Sequence, residues 1–403
     1  MAEASLHKLA YVAEATIGET PANPRFQELP DTRTTLALLL DTLATERLTG
    51  NRFPAQPRTG ARTVGGEIPA DLSFGAYDDF IASALQGEWI EAAEGADTCT
   101  LTIGGVANTL TAAGNSFPTT NGNVTVEKVD AVGGKVKLRL VLTADGKSSN
   151  HTLVNSNSKN IDGISFEASE YADFQENATI KAGDTRKSFS FLREFTDLGA
   201  DNDGTRRPFL LYKGCEISTW NITATANALA KSTFTIFGLD MSDPAETAPV
   251  GSSFKDPIRT EAFDTFSGSL EIDGQPKCLV TDYNLTINNG HAARYTVGCQ
   301  SSQDAMVTQS VVDGSITAYF ENMELYRKFI DETTMSLKLT LADSIGNKLV
   351  IFTPLLRILA GTQPDITGDG SITIPINFSA HEDVQLGTHL QVQRIAALAS
   401  SEA

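Results

Sequence analysis

The 403-residue sequence is short of cysteine, of tryptophan, of basic side chains and of long apolar runs, and each shortage closes off a class of function. Its four cysteines, Cys99, Cys215, Cys278 and Cys299, form no CxxC pair and have no histidine at a zinc-ligand spacing. Neither a metal site nor a redox motif is expected from them, and four buried, reduced thiols are. The longest apolar stretches, such as Leu36 to Leu40 and Leu349 to Phe352, fall far below the roughly 20 residues that span a bilayer, so no membrane association is expected. The opening MAEASLHKLAYVAE carries acids and lacks a basic start before an apolar core, which predicts no secretory signal and synthesis in a cytoplasm. Lys and Arg number 31 against 50 Asp and Glu, a formal net charge of −19. Such a balance argues against gripping nucleic acid, but not against a surface that nucleic acid slides past.

Signatures of chemistry are missing as well. No phosphate-cradling GxxxxGK loop, GxSxG elbow, HExxH pair or GxGxxG turn after a strand occurs. His7, His151, His291, His381 and His389 have no spaced partner and are expected at surface or turn positions. The run Asp365-Ile-Thr-Gly-Asp-Gly-Ser-Ile372 begins like a calcium loop, with Asp365, Thr367 and Asp369 alternating before Gly370. Ile376 stands where a bidentate glutamate is needed, so the run reads as a turn between strands, and Asp201 to Gly204 fails similarly. Asp78 and Asp79 open a helix, where the dipole favours acids without any catalysis. No catalytic, cofactor-binding or metal-binding residue is assigned, and no cofactor.

What is present is period-two alternation from end to end, as in Lys135 to Leu142 (KVKLRLVL), Lys187 to Leu192, Met335 to Leu341 and Ser371 to Phe378. Asn121-Gly122, Gly133-Gly134, Asp273-Gly274 and Asn289-Gly290 supply turn chemistry between such runs, which predicts a mainly β fold. Two segments read as helices. Tyr77 to Gln86 places Phe80, Ile81, Ala84 and Leu85 on one face, and Met323 to Ile330 places Leu325, Tyr326, Phe329 and Ile330 likewise. Gly87 suits the C′ position of the first and Asn322 the N-cap of the second.

These helices expose an internal repeat. Each follows a strand opened by glycine, Gly66 and Gly314, and the offset of 248 residues also lays Thr34 to Asp41 on Asp282 to Asn289. Further on, Ser188 to Leu192 matches Ser336 to Thr340, Phe209 to Tyr212 matches Leu349 to Phe352, and Ser232 to Phe237 matches Ser371 to Ile376. Residues 94–183 have no counterpart, and they hold ten acids and seven bases of their own, so most of the acidity sits outside them. The expectation is a duplicated β-sandwich or barrel module with one flanking helix per copy, at residues 1–93 plus 184–248 and at 249–403. The 94–183 segment would be an inserted, Ig-like small β sandwich on the outer surface. Two unrelated β domains are the alternative. Arg47, Arg52, Arg58 and Arg62 cluster in the polar excursion 42–62, where they form a solvated loop or meet acids on a neighbouring copy.

Several stretches resemble the tail tube proteins of siphophages, which have long non-contractile tails. They are Tyr11 to Pro24 (YVAEATIGETPANP), VGGEIPADLSFGAYDDFIASALQGEW, SFSFLREF, YKGCEISTWNITATANALAKSTFTIFG, FSGSLEIDG from Phe266, and GSITAYFENMELYRKF. The resemblance implies a non-enzymatic virion protein, made in the host cytoplasm, whose β sandwich or barrel lines a tube of stacked six-fold rings. With two modules per chain it implies rings of three chains with pseudo-six-fold symmetry, six chains being the alternative. It further implies that double-stranded DNA passes through an acidic lumen without specific binding during ejection. The tape measure, tail terminator and distal tail proteins would be partners. Excursions 42–62, with its four arginines, and 290–308 would be ring-stacking arms that order on assembly. Two other readings compete. A receptor-binding or adhesin-like tail surface protein would use the insert for recognition, and a glycan hydrolase would need a carboxylate pair in a cleft.

Overall fold

A computed structural model describes the chain except residues 1–6, 31–32, 45–51, 54–55, 92–98, 104–105, 111–115, 133–134, 155–157, 172–177, 197, 199–207, 278, 321–322, 324–326, 329, 360–371 and 397–403. The protein is mainly β, with 58% of it in strands. It divides into two compact units, one comprising the chain up to Trp89 with Ile180–Ser344 and Leu349–Val392, the other built on Ile90–Thr179.

The main strands of the first unit are β1 (His7–Ala13), β2 (Arg25–Glu28), β3 (Ala37–Leu43) and β4 (Arg58–Asp71), followed by helix α1 (Asp78–Leu85). Then come β5 (Phe189–Phe195), β6 (Phe209–Thr225), β7 (Lys231–Gly238), β8 (Asp264–Ile272) and β9 (Val280–Asn288). The last are β10 (Val311–Tyr319), β11 (Met335–Ala342), β12 (Lys348–Ile358) and β13 (Thr373–Ala380). One antiparallel sheet runs β3–β4–β7–β6–β9–β10–β13–β12. A second runs β2–β1–β5–β6, and β8 pairs with β11. Strand β6 serves both sheets, through Phe209–Cys215 with β5 and through Glu216–Thr223 with β7. It turns from one to the other at Gly214, whose φ of 61° is open to glycine and where a Cβ would stand 2.7 Å from Leu239.

Alternation decides the faces. In β7, Ser232, Phe234 and Ile236 are buried while Lys231, Thr233 and Thr235 turn outward, and the same beat holds in β9 and β10. The buried face meets α1. Phe80 lies with its ring centroid 4.9 Å from Tyr11, 5.6 Å from Phe189, 5.7 Å from Phe191 and 5.4 Å from Phe234. Trp220 stacks on Phe234 at 5.9 Å and satisfies its indole by donating to Ser232 Oγ at 2.6 Å. Tyr11 ties β1 to the helix by donating its hydroxyl to Asp79 at 2.9 Å.

Three details differ from the sequence expectation. Helix α1 is not half-buried along one stripe, because Ala82 and Ser83 are buried too. Beyond its first turn, where Asp79 is exposed, the helix has no solvent face to reveal in its pattern. Ser83 Oγ donates to the Lys187 carbonyl at 2.9 Å and accepts from the Ile217 amide at 3.2 Å, so its polarity is spent internally. The left-handed residue ending α1 is Gln86, with φ 48°, and Gly87 answers a different need, since a Cβ there would lie 2.3 Å from the Lys181 carbonyl oxygen. Half of the second expected helix lies outside the described residues, Leu325, Tyr326 and Phe329 of its expected apolar face among them. Arg327 there donates its amide to the Met323 carbonyl at 2.8 Å, in helical manner, but Ile330 is 61% exposed rather than on a buried face.

The second unit holds two four-stranded antiparallel sheets. One comprises Lys147–Val154, Lys135–Ala144, Asn123–Val132 and Ser116–Pro118, and the other Ser158–Ile161, Ile164–Tyr171, Cys99–Ile103 and Val106–Leu110. Val124, Leu140, Leu153 and Phe166 are fully buried in it.

Replacing Phe80 by alanine should cost about 3–5 kcal/mol of stability by chemical denaturation, since five aromatic rings, Tyr77 included, lose a common partner. Ile330→Ala, at an exposed position, should stay within about 0.5 kcal/mol.

Candidate assembly surfaces

Four surfaces stand out. The first is a protruding hairpin. Strand β4 pairs with β7 only as far as Val64, whereas β3 follows β4 from Gly65 to Arg58. About six residues of β4 therefore project beyond β7, roughly 20 Å at the usual strand rise. Leu39, Leu40 and Leu43 on β3 are 54%, 54% and 60% exposed. An edge strand carrying exposed leucines is a joint waiting for a partner.

The second surface is the arm that follows β9. It leaves at the same end of the sheet, and the two excursions touch, with the Arg62 amide donating to the Gln300 carbonyl at 2.9 Å. The arm is folded within the chain, contrary to the expectation that it orders on assembly. Ala292–Ala293 pairs with Ala305–Met306, and Ser302 Oγ gathers the Arg294 amide at 2.9 Å and the Asp304 carbonyl at 2.7 Å. Its tip presents Tyr295, Val297 and Cys299 to solvent.

A charged cluster under this arm is the third feature. Glu216 is 2% exposed on β6 and accepts two bonds from Arg186, Nη2 at 2.7 Å and Nε at 3.2 Å. His291 Nε2 lies 2.9 Å from Glu216 Oε2, the oxygen that also accepts from Arg186 Nε, and Arg186 Nη2 also reaches Asp304 at 3.1 Å. Burial alone would lower the Arg186 pKa, but the bonds and charge of Glu216, then of Asp304, outweigh it and hold the guanidinium above its ordinary value. The cluster clamps the arm to the strand below it.

The fourth surface is the outward face of the long sheet. One row of paired residues crosses six strands as Asp71, Lys231, Thr223, Asn284, Ser315 and Asn377, and the next as Pro69, Thr233, Asn221, Thr286, Asp313 and Ser379. Asn221 Nδ2 donates to Thr286 Oγ1 at 2.8 Å and to Asn284 Oδ1 at 3.3 Å, linking the two halves of the chain on this face.

Three of the four arginines of the first excursion are among the described residues. Arg47 lies outside the described residues, Arg52 and Arg58 are exposed, and Arg62 is half-buried with its guanidinium 3.5 Å from Asp240 of the same chain. The calcium-loop-like run at Asp365 and the Asp201 to Gly204 loop also fall outside the described residues. Among the described residues, no group of three or more His, Cys, Asp or Glu is arranged to hold a metal ion. A groove of about 330 Å³ between β8, β9 and β11 is lined by Phe266, Leu270, Tyr283 and Leu341, with no acid, histidine or cysteine. Two expectations are corrected: Cys215 is buried but Cys299 is exposed, and His7 and the His291 side chain are buried, not at the surface. The Arg186, Glu216, His291 and Asp304 cluster escaped the sequence because its members are 30, 75 and 118 residues apart. The one available signal was a glutamate inside the apolar beat of β6.

Open edges, arms and a broad polar face define a chain that works through its surfaces, as a component of an assembly. A family model described as phage tail tube protein matches residues 4–380, so the chain belongs to the phage tail tube protein family. None of the curated proteins matches it. Membership gives the chain a structural role in a phage tail, as a virion component that self-assembles into a tube with other tail proteins, and points to a non-enzymatic protein. No helix among the described residues is long and apolar enough to cross a membrane.

Glu216→Ala should destabilise the protein by about 3–5 kcal/mol, because it leaves Arg186 and His291 facing a buried void. Asp304→Ala, at the exposed side of the cluster, should cost at most about 1 kcal/mol but should make the arm easier to cleave in limited proteolysis.

Proposed function

We propose that the chain forms a tube ring as a trimer with pseudo-six-fold symmetry, each chain supplying two copies of one module, at residues 1–93 plus 184–248 and at 249–403. The observation that carries this is the pairing of β6 with β9, Thr219–Thr225 against Asp282–Asn288, which joins the two halves edge to edge. The order β3–β4–β7–β6 on one side of that seam is repeated as β9–β10–β13–β12 on the other. The glycines of the sequence repeat behave alike too. A Cβ at Gly66 would meet the Leu36 backbone at 2.5 Å, and one at Gly314 the Asn284 carbonyl at 2.5 Å, and both pairs are offset by 248 residues.

If the halves are equivalent, β3 corresponds to β9, whose outer edge is covered by β6. The exposed leucines of β3 then mark the edge where a neighbouring chain continues the sheet, a heterologous contact that closes into a ring. Three repeats of a two-module chain close a six-fold circle. The sheet's polar face would line a channel for double-stranded DNA during ejection. The two arms, rising together from one end, would reach the next ring, and Arg52, Arg58 and Arg47 would meet its acids. The tape measure, terminator and distal tail proteins would occupy the ends of the tube. The second unit, residues 94–183 in the sequence reading, would sit outside as a tolerated insertion.

Negative-stain electron microscopy of assembled tubes, with rotational analysis of end-on rings, should show three outer projections per ring; six would keep the tube and contradict two modules per chain. Charge reversal at Arg52 and Arg58 should impair polymerisation while leaving monomer stability within about 0.5 kcal/mol, and unaltered assembly would remove these residues from the contact.

A further inference from the structure

We infer that the joint between neighbouring chains is covered by a helix, with Leu40 on β3 of one chain packed against Ile330 on the second helical segment of the next. This rests on the ring reading above and adds the side chains that hold its joint. The template for the contact lies within the chain. At the seam, α1 packs over both β6 and β9, and the Asn289 side chain, one residue past β9, donates to the Ala84 carbonyl at 2.7 Å. Geometry shared by the two halves gives the counterparts of this pair. Leu38 pairs with Val64 and Ile287 with Val312, and each valine is buried two residues before the glycine of the repeat. Leu38 therefore stands for Ile287, and Leu40, two residues along the same face, for Asn289. This register lies one residue from the 248-residue offset, which lays Asp41 on Asn289.

The helices are matched by how they end. Gln86 closes α1 with φ 48°, and Glu332 follows the second helical segment with φ 49°. The Gly87 amide donates to the Ala82 carbonyl at 3.1 Å and the Thr333 amide to the Lys328 carbonyl at 3.0 Å, the same bond in both. With the caps superposed, Tyr77, Ile81 and Ala84 fall on Met323, Arg327 and Ile330, one helix face at i, i+4 and i+7. All three are buried in α1, and all three are exposed in the second segment. Burial also fades along β3, where Leu36 is fully buried, Leu38 half-buried and Leu40 mostly exposed, whereas Leu285, Ile287 and Asn289 are all buried. The first half of the chain thus bares a strand residue, and the second half a helix face, whose counterparts touch each other at the seam. A neighbouring copy brings the one to the other. Leu40 and Ile330 are large and apolar where Asn289 and Ala84 meet through a hydrogen bond, and apolar burial demands no donor geometry when two folded chains close on each other.

The test uses tubes assembled from the full chain carrying Leu40→Cys together with Ile330→Cys, oxidised and run on a denaturing gel beside the unaltered chain and the two single variants. The paired variant should give covalently linked chains that are absent from the single variants and from the unaltered chain, whose own Cys299 is exposed. Leu40→Glu and Ile330→Lys should each lower the yield of sedimented tubes at least about tenfold, because each buries an unpaired charge in the joint, and the two together should restore it to within about threefold. Both positions are exposed in the single chain, so neither substitution should move its melting temperature appreciably. Amide hydrogen exchange of β3 on assembly separates this inference from the reading beneath it. No linkage in tubes whose β3 amides become protected would overturn the helix contact and leave the continued sheet standing, as would full assembly of the Leu40→Glu chain. Tubes with unprotected β3 amides, or no tubes from the unaltered chain, would count against the ring reading and remove this inference with it.

Discussion

The structure depends on one seam, the seven residue pairs that join Thr219–Thr225 of β6 to Asp282–Asn288 of β9. Everything near it is arranged around that contact. Trp220 and Ile222 turn inward from one side of the seam, Leu285 and Ile287 from the other, and all four are fully buried or nearly so. Helix α1 packs over both strands. Asn289, just past the end of β9, donates to the Ala84 carbonyl at 2.7 Å, so the second half of the chain satisfies a helix end that belongs to the first. Outward, Asn221 bridges to Thr286 and Asn284 and stitches the polar face at the same place. A sheet edge left open is a liability, and here the chain covers its own internal edge while, among the described residues, no strand covers the outer edge of β3.

That asymmetry is what turns a fold into a proposal for assembly. On the proposed duplication, a strand with exposed leucines and a free edge has a counterpart inside the same chain whose edge is already paired. The simplest use of one geometry is to employ it twice, once within a chain and once between chains. Assembly then needs no new kind of interaction, only repetition of the seam around a circle and a second contact along the axis. On this proposal the arms would supply surface for the second contact, and the clamp of Arg186 on Glu216 and Asp304 holds one of them folded within the chain.

Much of the fold was legible because strands announce themselves by alternation. The runs at Lys135, Met335 and Ser371 are strands within two residues of the expected bounds, and Asp273-Gly274 is a turn with φ of 51° and 71°. Gly66 and Gly314 read in the sequence as strand openings; in the structure they lie inside β4 and β10, and their close approach to neighbouring backbone gives the reason glycine stands there. Long-range chemistry was not legible. Glu216 looks like an error in an apolar strand until Arg186 and His291 are brought to it by the fold. Asn289-Gly290 carries hairpin chemistry, yet Asn289 is buried against α1 and the chain goes on into an arm. Ala82 and Ser83 gave no sign of burial because small residues fit both faces of a helix. Of the arginines of the first excursion, Arg62 turns to Asp240 of its own chain, a partner far along the sequence that no local spacing could announce.

The most direct test of the seam as the repeated unit is a cryo-electron microscopy reconstruction of the assembled tube at a resolution that separates strands. The account predicts three chains per ring and an unbroken sheet in which β3 of each chain hydrogen-bonds to a strand of its neighbour, in the register that β9 makes with β6. Six chains per ring, or a β3 edge left facing solvent in the finished tube, would contradict it.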